Sequence, residues 1–177
     1  MTPVSSPTQA DGLARSSDRG EDIFSRNNTA LILCAALCLL AWTPGLYRTF
    51  WADEAGTYWM ARDGWREAIA HTSRWPGQSI LYAVVTSFFC VGSPPLRDIS
   101  MRTPSLLGSL VALFLLYRFA ERIAGRGAGV VASAVFITHP SMIRSAVGAR
   151  PYALAIAACI ASFYCFYEWL QTGSRRY

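Results

Sequence analysis

The run from Thr29 to Leu46 contains no charged residue, and as a helix rising about 1.5 Å per residue it covers most of a hydrocarbon layer of about 30 Å. Comparable apolar stretches follow at 103–122, 127–143 and 151–170. A chain that is 53% hydrophobic and only 15% charged has the composition of a membrane protein. The expectation is therefore an all-α integral membrane protein with about four transmembrane helices. The second and third of these later stretches are rich in Ala, Gly and Ser, small residues that let helix backbones approach closely in lipid.

A fifth apolar run, Ser79 to Gly92, reaches only about 21 Å as a helix, too short to span. It reads as an interfacial or re-entrant helix over about 79–92. With four spans and the amino terminus inside, residues 47–102 form one extracytoplasmic loop, and the segment 139–152 opens on the same side. Five spans would put the two on opposite sides. The cytoplasmic placement of "RFAERIAGRG" and "SRRY" agrees with four under the positive-inside rule. Residues 1–28, rich in Ser, Asp and Arg, read as a disordered cytoplasmic tail, and 172–177 as a cytoplasmic end. No A-x-A cleavage site follows the first run at "AWTPGLY", so an uncleaved anchor is expected.

Within the loop, Tyr58, Trp65 and Ile69 recur at helical spacing with Arg62, Arg66 and Glu67 between them, predicting an amphipathic helix over about 54–71. Trp51, Trp59, Trp65 and Trp75 suit the membrane–water boundary, where indole rings concentrate. The basic residues are all arginine, sixteen against eleven acidic groups, but they are scattered and form no nucleic-acid footprint. Lipid head groups and phosphates are the more natural partners. The five cysteines all lie in apolar runs without a CxxC pair and read as small hydrophobes; Cys34 and Cys38 share a helix face but lack further ligands for a metal.

The extracytoplasmic face collects Asp53, Glu54, Arg74, Gln78, Arg97, Asp98, Arg102, His139, Arg144, Arg150 and Tyr152. Carboxylates beside several Arg suit a reaction in which a lipid phosphate leaves while a hydroxyl attacks, because the guanidinium fork matches phosphate oxygens. Each residue also has a plainer reading. Asp53 stands where an N-cap is expected, so capping and catalysis remain equally open. Arg102 and Arg150 would also serve as span anchors reaching for head groups, Tyr152 as part of an aromatic belt, and His139–Pro140 as a helix end. Adjacent helical residues project about 100° apart, so Asp53 and Glu54 cannot both enter one small site.

Taken in order, "WADEAGTYW", the "R-x-P-S-x-L-x-G" pattern at Arg102 to Gly108, and "ARPYAL" at 149–154 resemble the amino-terminal part of the GT-C membrane glycosyltransferases. The likeness is to the protein mannosyltransferase, aminoarabinose transferase and RgtA/B/C/D-like group, over roughly residues 30–170. It implies sugar transfer from a polyprenyl-phosphate donor to an extracytoplasmic lipid, glycan or protein acceptor, in a bacterial cytoplasmic membrane. It implies Asp53 as the catalytic acid/base, Glu54 as its support, and Arg102, Arg150 and Tyr152 as the donor-phosphate region. Arg74, Gln78 and Arg144 are supporting candidates. It implies no definite cofactor and assigns no metal ligand, and a divalent metal is left open because only some relatives bind one.

Two positions depart from the pattern. "RWPGQSILY" at 74–82 stands where relatives usually carry a His-Pro-Pro-like motif, and Gly148 stands where an acidic residue often precedes the Arg of "RPY" by two. Relatives are also much longer, so the expectation is an amino-terminal portion, inactive alone, whose carboxy-terminal part is missing. The competing expectation is a non-catalytic four-span remnant or accessory interaction subunit. A small transporter fits less well, because ionisable residues are nearly absent from mid-membrane.

Overall fold

A computed structural model of the chain describes residues 29–75, 77–93 and 96–173. The expected amino-terminal tail and the end from 174 onward lie outside these residues. Among the described residues eight helices follow in order: α1 (Thr29–Leu46), α2 (Ala52–Ala61), α3 (Trp65–Ser73), α4 (Ile80–Ser87), α5 (Leu96–Ala124), α6 (Arg126–Thr138), α7 (Pro140–Val147) and α8 (Tyr152–Thr172). No strand occurs among the described residues. Three helices, α1, α5 and α8, are long and apolar enough to cross a membrane, and α6 with α7 makes a fourth if the bent pair counts as one span.

The central element is α5, which packs on α4, α6, α7 and α8. Its buried residues Met101, Ser105, Gly108, Ala112 recur at the three- and four-residue steps that make a continuous stripe. At Gly108 the backbone of α8 comes so close that an added Cβ would stand 2.8 Å from Leu154 and 3.3 Å from the Ala153 carbonyl carbon. On α1, Cys34, Cys38 and Trp42 form one stripe at four-residue spacing and join a core with Ala112, Leu113, Phe136 and Ile137. The two thiols are thus packed as small hydrophobes.

The third apolar stretch is not one straight helix. It bends by 69° between α6 and α7, at His139 and Pro140. Proline has no N–H to continue the ladder, and the Ser141 N–H turns to His139 Nδ1 at 3.3 Å. The Ile137 carbonyl left at the bend receives the Trp42 indole N–H at 3.1 Å, so α1 closes the break from outside.

Three boundaries differ from the sequence expectation. The single amphipathic helix over 54–71 is two helices, separated at Gly64, whose φ of +99° is a conformation that side-chain-bearing residues rarely adopt. The helix expected over 79–92 is regular only through Ser87; Ser79 caps its start by accepting the Tyr82 N–H at 3.2 Å. At about 12 Å it is too short to cross a bilayer. The second span begins at Leu96, seven residues earlier than expected, and runs through Pro104. Its additional turns are held by tertiary contacts, with Arg97 over the Tyr58 ring at 4.4 Å and Ser100 Oγ donating to the Phe89 carbonyl. At roughly 43 Å, α5 is longer than a hydrocarbon layer of about 30 Å is thick.

Candidate functional site

The site forms where α1 and α7 end and α5 and α8 begin, and Glu54 ties these ends together. Its side chain is buried on the first turn of α2 and accepts four hydrogen bonds. Arg102 Nε reaches Oε1 at 3.0 Å and Nη2 reaches Oε2 at 2.9 Å, the two-point geometry that a guanidinium and a carboxylate favour. The Ala149 N–H donates to Oε1 at 2.8 Å, and the Trp51 N–H to Oε2 at 3.0 Å. Burial works to raise the Glu54 pKa, but the hydrogen bonds from Arg102, Ala149 and Trp51, with the charge of Arg102, outweigh it and hold the carboxyl below its usual range.

Arg102 is equally committed. It is 1% exposed, and beyond Glu54 its Nη1 donates to the Leu46 and Arg48 carbonyls and its Nη2 to that of Thr49. Leu46 is the last residue of α1, so Arg102 satisfies a carbonyl that the helix end leaves open. All five guanidinium N–H groups are used, and none remains for a phosphate. The sequence reading places Arg102 in the donor-phosphate region; in the structure it lines the cavity and organises it from beneath.

Asp53 faces the other way. The N-cap of α2 is Trp51, not Asp53, and the carboxylate that reaches back to the cap N–H belongs to Glu54. The Asp53 side chain is 77% exposed, with Oδ2 3.4 Å from Arg150 Nη2, while its backbone carbonyl accepts from Arg150 Nη1 at 3.2 Å. Arg150 also donates to the Tyr152 hydroxyl at 3.3 Å, and its buried Nε has no partner among the described residues. The backbone of Arg150 is fixed by a relay in which the Tyr82 hydroxyl meets Ser105 Oγ at 2.7 Å and Ser105 donates to the Arg150 carbonyl at 2.9 Å. Burial pushes the Tyr82 phenol up to about 12, so it stays a donor.

Asp53, Glu54, Arg102, Arg150 and Tyr152 line a cavity of about 240 Å³ with Arg48, Arg144, Trp51 and Gly148. No family model, no curated protein and no solved structure matches the chain at a significant level. The site's chemistry therefore rests on its own geometry. Arg48 and Arg144 are exposed and have no ion-pair partner among the described residues, so the cavity carries more positive than negative charge. Its donor set does not fit a divalent cation: Asp53 is the one carboxylate there with free oxygen valence, Arg48, Arg144 and Arg150 line the same cavity, and no group of three His, Cys, Asp or Glu occurs among the described residues.

Of the supporting candidates, Arg144 lies in this cavity, whereas Arg74 and Gln78 line a different one beside α2 and α3. Sequence reasoning missed Arg48, although it stands five residues before Asp53 in the same loop. It also missed the backbone contribution of Ala149. At Gly148 a Cβ would stand 2.9 Å from the Arg144 carbonyl and 3.8 Å from Glu54 Oε1. An acidic side chain has no room there, and the Glu54 carboxylate already occupies the neighbouring space.

Proposed function

We propose that the chain is the amino-terminal portion of a GT-C-like membrane glycosyltransferase that takes its sugar from a polyprenyl-phosphate donor. The observation that carries this reading is the division between two adjacent carboxylates: Glu54 is saturated by Arg102 and backbone N–H groups, while Asp53 is left open on a cavity rich in arginine. In this reading Asp53 takes the proton from an acceptor hydroxyl as the oxygen attacks the anomeric carbon. The bond from that carbon to the phosphate oxygen breaks, its electron pair leaves with polyprenyl phosphate, and configuration inverts. Arg48, Arg144 and Arg150 stabilise the charge on the leaving phosphate, and Tyr152 positions Arg150. The compartment is the outer face of a bacterial cytoplasmic membrane, and the acceptor is an extracytoplasmic lipid, glycan or protein.

The test is transfer of labelled sugar from polyprenyl-phosphate donors in membranes carrying the protein. Asp53→Asn lowers transfer by about 100-fold or more with unchanged protein level. Undiminished transfer in that variant removes the mechanism.

A second reading is a non-catalytic four-span unit that docks on other membrane helices. It is supported by α8, whose outer residues Phe163, Phe166 and Leu170 are exposed. Wild-type membranes without transfer from any such donor favour it.

A further inference from the structure

A second cavity, of about 570 Å³, opens among α2, α3 and the segment that leads to α4, and it shares no lining residue with the first. Its walls differ in kind from those of the arginine-rich cavity. Trp59 and Trp75 line it while remaining 56% and 65% exposed. The exposed indole of Trp75, and the face of Trp59 that Arg62 does not cover, suit a ligand that has an apolar face of its own. The polar groups beside them are His71, Arg74 and Gln78, whose side chains have no hydrogen-bond or ion-pair partner among the described residues. Together they offer donors and acceptors in several directions.

Charge decides between an anion and a neutral ligand. Arg62 lies 3.8 Å from the centre of the Trp59 ring and is paired with Asp63 at 3.2 Å, so its charge is compensated. Arg74 is the single uncompensated guanidinium there, against Arg48 and Arg144 in the first cavity. A ligand with hydroxyl groups on its rim and C–H groups on its face, a saccharide, matches these walls better than a phosphate does.

Helix α2 joins the two cavities. Asp53 stands on its first turn, and Gly56 and Met60, three and seven residues on, line the second cavity at about 4.5 and 10 Å further along the axis. An added Cβ at Gly56 meets nothing within 4 Å, so the surface of α2 is open at that position.

We propose that the second cavity is a saccharide-binding subsite that holds a neutral glycan along α2 with a hydroxyl presented to Asp53. Its role as the acceptor subsite rests on the transferase reading above, whereas its saccharide binding does not.

The experiment uses the full chain in nanodiscs of zwitterionic lipid and a panel of neutral tetrasaccharides of glucose, mannose, galactose and N-acetylglucosamine. Binding is followed by saturation-transfer NMR from the indole protons and by tryptophan fluorescence. At least one tetrasaccharide is expected to bind saturably, with affinity falling about tenfold or more in Trp59→Ala and in Gln78→Leu. No binding by any tetrasaccharide overturns the subsite. So does quenching of the same indoles by inorganic phosphate or phosphatidylglycerol vesicles but by no saccharide. Saccharide binding without transfer from any polyprenyl-phosphate donor upholds the subsite and sinks the transferase reading. Asp53-dependent transfer without saccharide binding does the reverse.

Discussion

Glu54 and Arg102, 48 residues apart in sequence, are joined at both ends of the carboxylate by hydrogen bonds of 3.0 and 2.9 Å. Both are almost fully buried, and each uses its remaining valence on backbone groups, so the pair gathers the end of α1, the start of α2, the first turns of α5 and the residue before Arg150. A buried ion pair of this kind need not be more stable than apolar residues packed in its place, but loss of one partner leaves a charge stranded. The adjacent residue, Asp53, has no such burden and is the carboxylate available to a ligand.

The native Glu54 pKa lies below its ordinary value of 4.5. Folding therefore favours the ionised form, so the stabilisation is fully present above pH 4.5 and is lost as the pH falls through the lower native value. Thermal unfolding of the detergent-solubilised protein should fall in midpoint below about pH 4.5, and Glu54→Gln should flatten that acid limb. An unchanged acid limb in the variant assigns the acid sensitivity elsewhere.

At Gly108 the helices α5 and α8 pack tightly, with α8 backbone 3.3 Å from an added Cβ. Gly108→Leu should force the helices apart and cost about 1–3 kcal/mol, the range for overpacking a tight seam. The check is the midpoint of unfolding, with Gly127→Leu, where an added Cβ meets nothing within 4 Å, as the tolerated control.

Arg48 and Arg144 line the first cavity without ion-pair partners, whereas Arg102 has no free N–H. Arg48→Ala and Arg144→Ala should each weaken binding of a short-chain polyprenyl phosphate by about tenfold or more, since a hydrogen bond to a charged group contributes about 1.5–3 kcal/mol. Both should leave the unfolding midpoint nearly unchanged. Arg102→Lys should do the opposite, because one ammonium cannot replace a two-point contact together with three carbonyl bonds. Isothermal titration and thermal scans on the three variants separate these outcomes.

The four apolar stretches were legible because membrane length and absence of charge are local properties of the chain. The bend at His139 and Pro140 was marked by the proline, but not the Trp42 indole that makes it tolerable, since that contact spans 95 residues. The break at Gly64 and the early start of α5 depended on turn conformation and on contacts between elements, which helical spacing alone does not encode. Within the site, Asp53, Glu54, Arg102, Arg144, Arg150 and Tyr152 were picked out as chemistry-bearing groups, and the structure brings all six to one cavity. Their division of labour was hidden, because a buried guanidinium and an exposed one are the same letter in sequence. Arg74 and Gln78 belong elsewhere for a similar reason: the loop folds back on itself and opens a second cavity.

The claim that two adjacent carboxylates divide structure from chemistry is tested most directly by thermal unfolding of Glu54→Gln and Asp53→Asn in one detergent at neutral pH. Stranding Arg102 should cost about 3–5 kcal/mol, which corresponds to a midpoint lowered by roughly 6–20 °C in Glu54→Gln. Asp53, exposed and paired only at 3.4 Å, should shift the midpoint by no more than about 2 °C when replaced by Asn. Equal shifts in the two variants, or a larger one in Asp53→Asn, would contradict the account.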